Sequence, residues 1–422
     1  MTATLITVGD EILIGQIVNT NAAWIGERLG LEGIALRRSL SVPDRVADIV
    51  DELRAAWHAS DLVVVTGGLG PTHDDLTRDA FAAFFEAPLH EHAPTITRIE
   101  ERFARRNRPM PPRNRVQALV PEGFEVLDND HGTAPGLYFT KDGKHLAAVP
   151  GVPAEMRHLI EDRLLPRLKG DAGAHVIRHR TLLTAGVGES ALADQVGDLA
   201  PYLDARTRLA FLPSGGTVRL RVTAEGEDAA EVEARAERFV QHLRTQTGTA
   251  LVGEAPISLE SAVGDLLRAR GATLAVAESC TSGHLLDRLT DPPGASDYVL
   301  GGIVAYCNYV KTAVLGVHER MLVEDGAVSE GVARRMAEGV RVRMGADYAL
   351  STTGVAGPGG GTPEKPVGTV WIGVAGPEGS FARRFTFGGD RRTNKQLAAT
   401  TALDLLRRML AHRKDRSGEV GK

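Results

Sequence analysis

The stretch Gly294–Lys311, GASDYVLGGIVAYCNYVK, offers a serine, a tyrosine and a lysine that one turn and one strand can bring together. Such a trio can carry out acyl transfer. A serine hydroxyl is a poor nucleophile until a base takes its proton, and a lysine serves as that base only when burial or a second cation lowers its pKa. Ser296, Tyr306 and Lys311 also admit a plainer reading as a turn brace, a core aromatic and a solvated helix residue. Two neighbouring segments favour the chemical one. AESCTSG follows the apolar run Thr273–Val276, and STTGVAGPGGG follows Asp347–Leu350, so both read as polar, glycine-bearing loops at strand ends, the layout of an open α/β site. Cys280 is a rival nucleophile because a helix N-terminus favours thiolate, with His284 its only neighbouring histidine.

A second locus lies near the start of the chain, in VVVTGGLGPTHDDLT at Val63–Thr77. Its glycines let backbone amides approach an anion, and the helix that follows presents its positive end to the same place. Asp74 and Asp75 either cap that helix or hold a divalent cation beside the anion. The GK[ST] signature is missing, so this is not a P-loop. Three further loops can complete the site: VGDEILIGQIVNTN at Val8–Asn21, NDHGTAPG at Asn129–Gly136 and VPGVPAEM at Val149–Met156. Asp10 and Glu11 can bind metal or cap a helix; His73 and His131 read as loop hydrogen bonders.

These loops need strands and helices to hold them. Periodicity gives a strand at Thr4–Val8, helices at Thr20–Leu29 and Asp44–Trp57, and a buried strand at Leu62–Val65, a parallel α/β layout. From 171 to 253 the pattern changes to two alternating strands around a Pro213–Gly216 turn, followed by a charged amphipathic helix, Asp228–Thr245, with Val232, Ala236, Phe239, Val240 and Leu243 on one face. The last part begins with a helix at Ser258–Arg270 and ends with one at Thr393–Arg408. Between them lie strands at Thr273–Val276, Val299–Ala305, Asp347–Leu350, Val367–Val374 and Phe381–Phe387. The expected architecture is two three-layer α/β domains, 1–170 and 254–415, joined by a small α+β module, 171–253, with a polar tail at 416–422.

Composition limits the possibilities further. A chain of 422 residues holds two or three domains, and a net charge of −5 with mixed signs argues against a polyanion-binding surface. Two cysteines, no basic leader before an apolar core and no apolar run of membrane-spanning length point to a soluble cytoplasmic protein.

AESCTSG, the GAS before GGIVAYCN-x-x-K, TTGVAGPGG and FGGDR occur in the order and spacing of the CinA carboxy-terminal family, which this part of the chain resembles. The resemblance implies hydrolysis of the amide of nicotinamide mononucleotide (NMN) in pyridine nucleotide salvage, without a cofactor. It implies Ser296 as nucleophile with Lys311, Tyr306, Thr353 and Arg391 as partners, and Glu278, Thr281, Gly354 and Gly357 as substrate contacts. Arg392 stands beside Arg391 as an alternative. Ser282 and Cys307 depart from the family's usual AESCTGG and AYSN.

GDEIL-x-G, TGGLGPT-x-DD-x-T and PGVPAEM resemble the molybdopterin-binding domain family and the amino-terminal half of CinA proteins. That implies a divalent-metal-dependent (Mg2+ or similar) cleavage of ADP-ribose, with Asp10, Asp74 and Asp75 at the metal and Thr66, Gly67, Gly68 and Gly151 around phosphate. The middle module is similar to a KH-type domain. It lacks the clamping G-x-x-G, so a connector or homodimer contact is expected rather than nucleic-acid binding. The competing reading is a non-catalytic nucleotide or pterin sensor.

Overall fold

The computed structural model describes residues 1–168 and 176–411. The expected boundary at 170, the end of the last domain at 415 and the polar tail lie outside them. The chain divides into two compact units, Met1–Arg178 with Ala224–Ala234, and His179–Thr223 with Arg235–Lys422.

The first unit alternates β1 (Thr2–Val8), α1 (Thr20–Leu31), β2 (Ala35–Val42), α2 (Val46–Ala59), β3 (Leu62–Thr66), α3 (Thr77–Phe85) and α4 (Ala93–Ala104), then β4 (Glu125–Leu127), β5 (Gly136–Lys141), β6 (Lys144–Val149) and α5 (Pro153–His158). The sheet order is β2-β1-β3-β6-β5-β4. The first four strands in that order run parallel, and β5 and β4 complete the edge antiparallel. Apolar side chains on both faces explain the unbroken runs in β1 and β3. Leu5 packs with Ile25 and Leu29 of α1, while its neighbour Ile6 packs with Ile49 and Leu53 of α2 on the opposite face.

The middle module consists of β7 (Val176–Ala185), α6 (Glu189–Val196), β8 (Thr207–Ser214), β9 (Thr217–Gly226), α7 (Ala229–Thr247) and β10 (Leu251–Glu254). Its sheet order is β8-β9-β7-β10. The five apolar positions expected on α7 are all buried. The chain continues through α8 (Leu259–Arg268), β11 (Leu274–Glu278), α9 (His284–Thr290), β12 (Val299–Val304), α10 (Asn308–Ala313), α11 (Glu330–Met344), β13 (Tyr348–Gly354), β14 (Thr369–Gly376), β15 (Gly379–Thr386) and α12 (Arg391–Ala411). This sheet reads β12-β11-β13-β14-β15, the first three strands parallel and the last two antiparallel. Ser258 starts α8 with a capping box to Ser261.

Helix α12 ties the small module to this last domain. Nearly buried Arg407 donates to Asp404 at 2.7 Å and to the carbonyls of Leu251 at 2.8 Å and Thr249 at 2.7 Å. Arg408 donates to Ala185 O at 2.9 Å, and Thr400 Oγ1 to Gly215 O at 2.6 Å. Gly186 has φ +75, and a Cβ there would run into Asp404 and Arg408. The glycine-bearing loop from Gly186 to Glu189 therefore begins against a protein helix.

Candidate functional site

Because β11, β12 and β13 are parallel, the segments that leave them emerge at one end of the sheet. Ser279 follows β11 directly, and its amide donates to Thr352 O at 2.9 Å. Lys311, on α10 beyond β12, is buried. Its Nζ donates to Ala305 O at 2.7 Å, lies 3.3 Å from Tyr306 O and reaches Ser279 Oγ at 3.1 Å. Burial holds its pKa below the usual lysine value. A neutral amine has two protons and one lone pair. Once deprotonated, the amine can give its two protons to these carbonyls and turn its lone pair to the Ser279 hydroxyl.

The expected partnership of Ser296 with Lys311 is corrected. Ser296 occupies the short turn Ala295–Asp297 before β12, whereas the lysine amine sits at the carbonyls just after it. A six-residue strand separates the two, roughly 20 Å at about 3.3 Å per residue. The signal that could have found Ser279 was its place, immediately after a parallel strand and at the same end as Lys311.

Tyr306 meets Lys311 through its carbonyl rather than its phenol. The exposed phenol accepts from Arg391 Nη2 at 3.1 Å, and Arg391 Nη1 donates to Gly357 O at 2.7 Å. Arg391 rather than Arg392 makes this contact, and both line a cavity of about 680 Å³ with Gly357. Several other expected contacts are committed internally. Buried Glu278 accepts from the amides of Gly283, Leu285 and Leu286 at 2.9, 3.0 and 2.8 Å, so it holds the start of α9 instead of facing a ligand. Thr281 Oγ1 lies 2.6 Å from Thr352 Oγ1, and Thr353 Oγ1 donates to Ala327 O at 2.7 Å. At Gly354 a Cβ would press on the Thr369 carbonyl, which makes this position a close backbone approach. Cys280 is buried and its thiol is pushed up to about 12, which removes it as a nucleophile near neutrality.

In the first unit, the loops after β1, β3 and β6 enclose a cavity of about 470 Å³. The glycine loop is set from behind. Gly67 has φ +103, and a Cβ there would strike Val8 O. Thr77 Oγ1 donates to Gly67 O at 2.8 Å, and buried Arg78 donates to the carbonyls of Leu69 and Gly70 at 2.7 and 2.8 Å. Thr66 Oγ1 donates to Pro150 O at 3.2 Å, and Gly151 O accepts from Asn21 Nδ2 at 2.7 Å.

The expected metal triad does not assemble. Asp75 braces the loop, accepting from Gly70 N at 2.6 Å and from Thr72 N and Oγ1 at 2.8 and 2.5 Å. Asp10 is not among the lining residues and gives its amide to Asp44 at 2.8 Å, while Asp74 lines the cavity and is exposed. Asp44, expected only as the start of a helix, has its carboxyl raised by burial first and then by Asp10, Glu11 and Asp74. Among the described residues no three His, Cys, Asp or Glu are arranged to hold a metal ion. The donor set therefore does not fit a preformed divalent centre. Nor is any helix among them long and apolar enough to cross a membrane.

Residues 4–170 match the family model described as "Probable molybdopterin binding domain", 179–253 the damage-inducible protein CinA KH domain, and 257–410 the CinA C-terminal domain. A CinA-like protein of Salinibacter ruber is 48% identical over 97% of this chain and 100% of its own. One from Chloroherpeton thalassium is 44% identical over 97% and 99%. A solved CinA structure from Thermoplasma acidophilum, titled as of unknown function, shares 38% identity over 40% of this chain and 97% of its own, with a TM-score of 0.36.

Proposed function

The chain belongs to the CinA family, and from that premise we propose that its carboxy-terminal domain is an amidase that converts NMN and water to nicotinate mononucleotide and ammonia. The observation that carries this is the buried Lys311 amine 3.1 Å from the Ser279 hydroxyl. A nucleotide sensor has no use for a desolvated amine beside an alcohol. A serine amidase can use one as the base that activates its nucleophile.

Ser279 Oγ attacks the amide carbon as its proton passes to Lys311, giving a tetrahedral oxyanion that we assign to backbone amides of the turn after Ser279. The carbon–nitrogen bond then breaks, and the lysine returns its proton to the departing ammonia. Lys311 next takes a proton from the water that attacks the acyl-serine ester, and returns it to Ser279 Oγ as the carbon–Oγ bond breaks and the acid leaves. Arg391, held by Gly357 and Tyr306, is the group proposed for the nucleotide phosphate.

Ammonia release tests this. Ser279→Ala is expected to lower kcat by about three orders of magnitude or more, and Ser296→Ala to leave it near the wild-type value. The reverse pattern rejects the assignment.

The glycine-lined cavity of the first unit favours a second activity, cleavage of the ADP-ribose pyrophosphate. Small-molecule nucleotides are the proposed ligands of both domains. Hydrolysis of ADP-ribose to AMP and ribose 5-phosphate by the full chain, assayed with Mg2+ supplied, tests this reading.

A further inference from the structure

One carboxylate on the amino-terminal cavity belongs neither to the glycine loop nor to the acidic group around Asp44. Glu155, on α5 within PGVPAEM, lines the cavity. Its Oε2 accepts from Asn129 Nδ2 at 2.6 Å. The rest of Asn129 is fully directed: Nδ2 also donates to Ala134 O at 2.7 Å, and Oδ1 accepts from the amides of His131 and Gly132, both at 2.9 Å. Two amide donors on the oxygen side fix which way the side chain faces, so its NH2 must point at Glu155. A Cβ on Gly132 would collide with the Glu155 carboxylate, so only glycine leaves room for it.

Burial raises the Glu155 carboxyl above the ordinary glutamate range, opposed by the Asn129 hydrogen bond and by the charges of Arg102 from α4 and His131 from the loop. Arg102 itself donates to the carbonyls of Asp130 and His131. The carboxylate is thus oriented by a neutral amide, and among the described residues no cation donates a hydrogen bond to it. A carboxylate kept this way is a better proton acceptor than a solvated one.

We propose that Glu155 is the general base that deprotonates the water attacking a phosphoanhydride bound in this cavity, with Asn129 as its positioning residue; this rests on the pyrophosphatase reading above. The water proton passes to Glu155 and the water oxygen bonds to one phosphorus. The bond from that phosphorus to the bridging oxygen breaks, and its electron pair leaves with the second phosphate.

The test uses the full chain with ADP-ribose and Mg2+. Glu155→Gln retains an oxygen acceptor for Asn129 and the size of the side chain. It is expected to lower kcat by about 10²- to 10⁴-fold, with KM within about threefold and an unchanged thermal midpoint. Asn129→Ala removes a hydrogen bond that lowers the Glu155 pKa, so the acid limb of its kcat/KM profile should move to higher pH, a shift that a merely structural role would not produce. A Glu155→Gln protein with kcat within threefold of wild type overturns the role of Glu155 while leaving the pyrophosphatase reading intact. A wild-type chain that does not cleave ADP-ribose overturns both.

Discussion

At the scale of single residues, the protonation state of Lys311 governs the amidase proposal. Burial lowers its pKa, and only the neutral amine can take the serine proton. Deamidation should therefore fall as pH drops through that lowered value and level off before pH reaches 10.5. A kcat/KM profile with its acid limb at the ordinary lysine value would contradict this. Lys311→Arg, permanently charged, should be inactive at every pH. Ser282 makes a separate prediction. It sits at φ +54, in the left-handed region that favours glycine. Ser282→Gly is expected to raise stability by about 0.5–1 kcal/mol in a denaturant titration, because strain in the left-handed region outweighs the added freedom of the unfolded chain. That a serine would lie beside Lys311 was legible in the sequence. Which serine meets the lysine was not, because sequence proximity favoured Ser296 while strand pairing brings Ser279 from further up the chain. Asp44 was unreadable for a related reason. A lone aspartate before a helix looks like a cap until folding adds Asp10, Glu11 and Asp74 around it.

At the scale of elements, periodicity served well. The strand expected at Leu62–Val65 is Leu62–Thr66, and the helix expected from Ser258 begins at Leu259 with Ser258 as its cap. Pairing order was beyond reach, since it depends on contacts between segments far apart in sequence. Yet pairing decides which loops share an end of the sheet. Glu278 shows the cost of reading a motif without it. Its place in AESCTSG suggests a ligand contact, but its carboxylate binds three amides at the start of α9. Glu278→Ala should lower unfolding stability by about 2–3 kcal/mol, since buried donors lose a charged acceptor. If the protein instead keeps its denaturation midpoint and loses only affinity for NMN, the residue binds substrate.

At the scale of the whole molecule, the two proposed chemistries reside in separate units, each with its own glycine-bearing loops. Ser279→Ala should abolish ammonia release and retain ADP-ribose cleavage. Parallel loss of both in one variant would point to misfolding or to a single shared site. The three-part organisation was legible from composition and motif order. The attachment of the small module to α12 was not, because Arg407 and Arg408 look like ordinary surface charges on the carboxy-terminal helix. Their partners carry a practical lesson for anyone excising the carboxy-terminal domain. A version starting after residue 254 removes the Leu251 and Thr249 carbonyls together with the backbone that covers this part of α12, leaving the Arg407 guanidinium with Asp404 and water. A fragment that keeps the small module should therefore show a higher denaturation midpoint than one cut at residue 254.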